Sequence, residues 1–168
     1  MDQSLLSIVG DKLKTNFGTG IISSEMLADY PVFIVNRDII EEVVKFLYQE
    51  EELSFQYLTT LAGLHYPDSK GQELGVMYQL HNLQKNYRIR LKIFFSIHDP
   101  VAPSITSIFS AANWMERQEF DFFGIIFKGH PNLKRILNVD DMNYHPLRKE
   151  YPLEDGTRED KDDRMFGR

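Results

Sequence analysis

The sequence predicts an α+β fold: a small mixed sheet covered by helices, followed by an extended C-terminal arm. Three observations predict it. Leu5, Val9 and Leu13 recur every four residues, the spacing of one helical face. From Tyr87 to Ile93 apolar and basic residues alternate strictly, the period of a strand with one buried side. The last third is dense in charge and broken repeatedly by proline, which favours extended backbone over helix.

The elements follow in order. Gly18 and Gly20 end the first helix, and Ile21-Ile22 and Val32-Phe33-Ile34-Val35 read as two short strands around a turn at Asp29-Tyr30-Pro31. Asn36 or Asp38 can cap a second helix, where Ile40, Val43, Val44 and Leu47 form an apolar stripe opposite Glu41, Glu42 and Lys45. Phe55 to Leu64 and Leu74 to Leu80 read as largely buried strands. The alternating run then places Tyr87, Ile89, Leu91 and Ile93 on the core face and Arg88, Arg90 and Lys92 on the other.

Composition narrows the functions available. A length of 168 residues suits one globular domain plus an appendage. A net charge of −6 excludes a nucleic-acid binder recognised by overall basicity. A hydrophobic content of 42% with 12 Phe and 8 Tyr excludes global disorder. The absence of cysteine excludes disulfides, zinc–thiolate sites and Cys-held iron–sulfur clusters. No apolar run approaches the ~20 residues of a membrane helix, and Met1-Asp2-Gln3-Ser4 lacks the start of a signal peptide. A soluble, intracellular chain is expected.

Charge density divides the chain. Residues 1–112 hold 9 basic and 13 acidic residues, whereas residues 113–168 hold 10 and 12 in half the length. The expected division is an α+β body over 1–112, a signature helix or hinge over 113–127, and a partner-wrapping arm over 128–168. Such an arm has too little apolar mass to offset its own ordering entropy.

No self-contained active site emerges. Arg88, Arg90 and Lys92 are able to grip an acidic partner, although a solvated strand face is the commoner use of such a row. Histidines 65, 81, 98, 130 and 145 form no HExxH pair. Asp140, Asp141 and His145 beside Pro146 read as a turn rather than a metal site. Gly18-Thr19-Gly20 is incomplete as a nucleotide loop, and no GxSxG elbow is present.

The informative stretch begins at Asn113, which forms a capping box with Glu116 and so opens a helix that Gly124 closes. Glu116 and Glu119 share a side of this helix, where a structural network with Arg117 is the simplest expectation. Beyond it come Gly129-His130-Pro131, Leu133, Ile136-Leu137 and His145-Pro146-Leu147-Arg148-Lys149 with Tyr151-Pro152. Apolar anchors spaced along a charged, proline-punctuated chain suit a segment lying on another protein.

Glu116-Arg117-Gln118-Glu119-Phe120-Asp121-Phe122-Phe123-Gly124-Ile125, then Gly129-His130-Pro131-Asn132-Leu133-Lys134-Arg135-Ile136-Leu137, then His145-Pro146-Leu147-Arg148-Lys149-Glu150-Tyr151-Pro152, resembles the C-subunit of proton-pumping NADH:quinone oxidoreductase, the thirty-kilodalton subunit family of respiratory complex I. Gln118 stands where the family pattern has a third Glu, and Tyr144 replaces the Gly that commonly precedes the second His-Pro. The resemblance implies a non-catalytic, peripheral-arm subunit, held at the cytoplasmic face of the bacterial inner membrane. It implies that the arm braces the D-subunit, which shapes the quinone cavity. The B-subunit, which holds the terminal iron–sulfur cluster, and an iron–sulfur subunit would be further neighbours. No cofactor is expected in this chain; FMN, iron–sulfur clusters and quinone would lie in other subunits, and membrane association would be indirect. The partner-binding residues carried over are Trp114, Glu116, Arg117, Asp121, Phe123, Gly124, His130, Pro131, Leu133, Arg135, Leu137, His145, Pro146, Leu147, Arg148, Tyr151 and Pro152. The alternative is the equivalent subunit of a membrane-bound hydrogenase or other donor:quinone oxidoreductase.

Overall fold

The computed structural model describes residues 2–151. The architecture is the expected α+β arrangement, with helices on one face of a five-stranded mixed sheet. Helix α1 (Asp2–Phe17) buries Leu5, Val9 and Leu13. Strands β1 (Ile21–Leu27) and β2 (Tyr30–Val35) form an antiparallel hairpin. The turn falls at Ala28-Asp29, one residue earlier than expected, with Ala28 at φ 52°. Pro31 is therefore inside a strand, but pairing of β2 with its other neighbour starts only at Val32, so its missing N–H is not required there.

The Asn36 side chain accepts a hydrogen bond from the Asp38 N–H at 3.0 Å, closing a 3-10 turn that leads into helix α2 (Ile40–Gln49). All four residues of the expected stripe, Ile40, Val43, Val44 and Leu47, are buried. Burying each such side chain contributes about 1.5–3 kcal/mol. Strands β3 (Tyr57–His65), β4 (Leu74–Asn82) and β5 (Tyr87–Phe95) form a meander, and β5 returns beside β2 in parallel. The resulting order is β1-β2-β5-β4-β3. Phe33, Leu91, Tyr78 and Leu61 lie in register across its core face.

The folded unit runs past the boundary expected at residue 112. Strand β6 (Val101–Pro103) pairs in parallel with β7 (Ile126–Lys128), and helix α3 (Ala112–Phe123) connects them. Ala112, Ile125 and Phe127 belong to the same buried cluster as the sheet. The strand that follows the signature helix thus pairs with β6 inside the body, and the helix itself joins the buried core through Ala112. After β7, residues 129–151 contain no further helix or strand. No described helix is long and apolar enough to cross a membrane.

Candidate partner-docking surface

Helix α3 starts without the expected capping box. Its N-cap is Ala111, with no side-chain cap, and Asn113 already lies inside the helix. Turns at Phe109–Asn113 lead the chain in, where the N–H groups of Ala112 and Asn113 reach the carbonyls of Phe109 and Ser110. Glu116 is thereby released for another use. It is fully buried and accepts from the Ser104 hydroxyl at 2.7 Å and the Ile105 N–H at 2.8 Å. Burial pushes its carboxyl up to about 7 against the pull of those donors.

Glu119 faces strand β3, where it accepts the Gly63 N–H at 2.6 Å. A glycine is needed there because a Cβ would sit 2.5 Å from the Phe123 ring and 2.6 Å from the Glu119 carboxylate. Burial again pushes this carboxyl up to about 7, opposed by the Gly63 N–H and by the Gln118 amide at 3.3 Å. The expected network of Glu116 and Glu119 with Arg117 does not form. Arg117 points the other way, donating to the carbonyls of Lys134 at 3.0 Å and Arg135 at 3.1 Å, with its guanidinium 5.0 Å from the centre of the Trp114 ring.

Asp121 organises the segment that follows. Its Oδ2 accepts the N–H groups of Ile136, Leu137 and Asn138 at 3.1, 2.8 and 3.0 Å. Its Oδ1 accepts from the Arg135 guanidinium at 2.7 Å and the Asn138 amide at 3.0 Å. Burial pushes this carboxyl up, but the Asn138 and Leu137 N–H groups, the Asn138 amide and Arg135 outweigh it and hold it well below the usual carboxylate range. Arg135 also donates to the carbonyls of Met142 at 2.7 Å and Tyr144 at 3.1 Å, which fixes the next loop.

The C-terminal end of α3 receives the second His-Pro motif. Gly124 adopts the left-handed conformation (φ 74°) and ends the helix as expected. It has no space for a Cβ: one would stand 2.5 Å from the His145 ring and 2.8 Å from Arg148. The His145 Nδ1–H donates to the Asp121 carbonyl at 3.1 Å, and Arg148 Nε donates to the Phe123 carbonyl at 2.7 Å. The Leu147 N–H reaches the Phe122 carbonyl at 3.2 Å. Further on, the Lys149 N–H donates to Nδ1 of buried His65 at 2.9 Å, which keeps that nitrogen unprotonated. Burial lowers His65, against the nearby Glu150 carboxylate, and burial lowers His145 as well.

The residues singled out from the sequence therefore separate into two groups. Glu116, Arg117, Asp121, Gly124, Arg135, His145 and Arg148 take partners within the chain. His130 joins them, donating through Nε2 to the Asn113 carbonyl at 3.0 Å while Nδ1 accepts the Asn132 N–H. Phe123 and Leu133 pack on the core while partly exposed. Trp114 and Leu137 are each 64% exposed, Leu147 44% and Tyr151 37%. Pro131 is exposed, Pro146 is half-buried, and Pro152 lies outside the described residues. Asp140 and Asp141 are exposed, and His145 turns to the Asp121 carbonyl instead of to them.

Four contributors escaped the sequence reading: Gly63, His65, Ser104 and Asn138. Gly63 had a usable signal, since glycine inside a strand marks close approach by another group. The other three make contacts that depend on residues remote in sequence.

The sequence pattern of the family described as the respiratory-chain NADH dehydrogenase 30 Kd subunit matches residues 33–157. The C-subunit of NADH-quinone oxidoreductase from Mycobacterium bovis (strain BCG / Pasteur 1173P2) is 44% identical over 119 residues, 71% of this chain and 50% of that protein. The protein of the same name from Nocardioides sp. (strain ATCC BAA-499 / JS614) is 43% identical over 121 residues, 72% of this chain and 48% of its own. The chain spans about half the length of these curated relatives. A solved structure of the trypsin-resistant fragment (1–134) of Nqo5 superposes with a TM-score of 0.63 at 26% identity, covering 74% of this chain and 98% of that one. The fold is also shared with a chain of the membrane-bound sulfane sulfur reductase, an archaeal respiratory membrane complex, with a TM-score of 0.71 at 20% identity over 88% and 85% of the two chains. The signature helix, the Asp121-centred turn and the second His-Pro motif all fall within the matched region, and the chain belongs to the family of the 30 Kd subunit of respiratory-chain NADH dehydrogenase.

Proposed function

We propose that this chain is a peripheral subunit of a proton-translocating NADH:quinone oxidoreductase, holding the neighbouring quinone-site subunit through α3 and the segment after it. One observation carries the reading: Trp114, Leu137, Leu147 and Tyr151 remain exposed on a backbone that Asp121, Arg135, His145 and Arg148 already fix. Large apolar groups left outside suit a surface that another protein covers. A backbone fixed beforehand loses little further entropy on docking, so more of the contact energy appears as affinity.

In this reading the chain braces the subunit that shapes the quinone cavity, with the holder of the terminal iron–sulfur cluster and a further iron–sulfur subunit next to it. FMN, the iron–sulfur clusters and quinone would belong to those other subunits; the sequence given offers no cysteine to ligate a cluster. Attachment to the cytoplasmic face of the inner membrane is then indirect. The test is co-purification with the quinone-site subunit. Leu137 is exposed and held through its backbone N–H, so Leu137→Asp should leave the melting temperature unchanged. It should weaken co-purification by about 30-fold, the effect of losing one central apolar anchor. An unchanged yield of the pair rejects the reading. Arg148→Ala is the poorer probe, because it also frees the chain's own segment from Phe123.

A further inference from the structure

Among the described residues, the helices cover one face of the sheet. Register places Ile34 beside Lys92, and Lys92 beside Met77, on the opposite face, with Arg90 and Phe94 two positions to either side along β5. Ile34, Met77 and Phe94 are half-buried there. Arg88, Arg90 and Lys92 run along this face at ~6.7 Å intervals, the spacing of alternate strand residues. Arg90 donates to the Gln79 side-chain carbonyl at 3.0 Å and lies 5.3 Å from the centre of the Tyr30 ring. Among the described residues none of the three cations forms an ion pair, although the chain carries a net charge of −6. Glu25, opposite Val32 on the same side, makes no ion pair with them either. Where the row reaches Phe94, the face meets a groove of about 480 Å³ lined by Ile22, Ile34 and Phe94 together with Asn36, Gln72 and Arg37, whose charge Asp99 pairs at the groove wall.

We propose that this face docks an acidic amphipathic helix of a partner protein. Its apolar stripe would enter the groove at Ile22, Ile34 and Phe94, and its carboxylates would meet Arg88, Arg90 and Lys92. The sign of the partner follows from three cations that no carboxylate pairs among the described residues, on a chain of net charge −6. Its shape follows from spacing and layering. Helical residues four apart rise ~6.0 Å, so three successive carboxylates match the ~6.7 Å row closely. A bare sheet face is normally closed by helices, whereas an extended strand would add to an edge, where free N–H and C=O groups lie. A long polyanion is disfavoured because it would meet the repulsive field of the whole chain. This surface lies on the other side of the sheet from α3, so the inference stands apart from the docking of the quinone-site subunit.

The test titrates the full chain with a synthetic amphipathic peptide bearing a leucine stripe flanked by glutamates every fourth residue, followed by backbone amide NMR. Shifts should cluster on Ile34 and residues 88–94, and affinity should fall as salt is raised. Arg88→Glu combined with Lys92→Glu should weaken binding about tenfold or more with an unchanged melting temperature. If charge reversal unsettles the sheet, the milder pair Arg88→Gln with Lys92→Gln should give the same ordering. The inference is overturned if a scrambled glutamate peptide or a lysine version binds as tightly, or if the shifts map to α3. Tighter binding at this face by heparin, by anionic vesicles or by a peptide of residues 152–168 overturns it equally.

Discussion

Helix α3 holds two neighbours by opposite electrostatic means. Toward the loop after β6 and toward strand β3, Glu116 and Glu119 are buried with two donors each, and both carboxyls rise to about 7. At the other end Asp121 is just as buried, yet five donors converge on its oxygens and it stays ionised. Burial alone does not decide the charge of a carboxyl; the number of N–H groups aimed at it does. The two glutamates are left with few donors to hold a charge, whereas the contact with residues 135–138 is built around a full negative charge.

Three substitutions probe that contrast. Asp121→Asn should cost roughly 3–5 kcal/mol, since it leaves Arg135 and several N–H groups facing a neutral amide in a buried site. Urea unfolding gives the loss, and amide exchange should show Ile136, Leu137 and Asn138 exposed. A cost no larger than that of Glu119→Gln would erase the distinction. Gly63→Ala should cost up to about 3 kcal/mol by forcing Phe123 and Glu119 away from β3; an unchanged urea midpoint would show that α3 moves freely over the sheet.

The smallest effect concerns pH. A carboxyl raised in the folded state keeps its proton there after the unfolded chain has lost it, so stability falls as pH rises from about 4.5 to about 7. Glu119→Gln keeps an acceptor for Gly63 without titrating. The variant should therefore lose about 2 kcal/mol less than the wild type between the two ends of that window. His65 and His145, lowered by burial, give the opposite slope in both proteins and cancel in the difference. Equal pH profiles would place the Glu119 carboxyl in its ordinary range. Asp121 behaves in reverse: its contribution is complete above the ordinary aspartate value of 3.8 and is lost as pH falls through its depressed folded value.

Periodic elements were legible in the sequence, and convergent ones were not. The stripe Ile40, Val43, Val44 and Leu47 and the alternation from Tyr87 to Ile93 announce which face is buried, because each pattern repeats within its own element. Gly124 announces a helix end for the same local reason. The exposure of Leu137, Leu147 and Tyr151 follows from their place in a segment with too little apolar mass to bury them. Charge density, which suggested a division at residue 112, carries no record of the pairing of β6 with β7 across it. The capping box at Asn113 failed because Ser104 and Ile105, earlier in the chain and outside the helix, claim Glu116 instead. Asp121 was visible as a motif residue, but its five donors lie 14 to 17 positions away, and no local pattern records that convergence.

Asp121 grips residues 136 to 138 mainly through main-chain amides, and only Asn138 adds its side chain. The turn is thus indifferent to what residues 136 and 137 carry, provided neither is proline. The side chain at 137 is therefore free to change shape while the loop that presents it keeps its path.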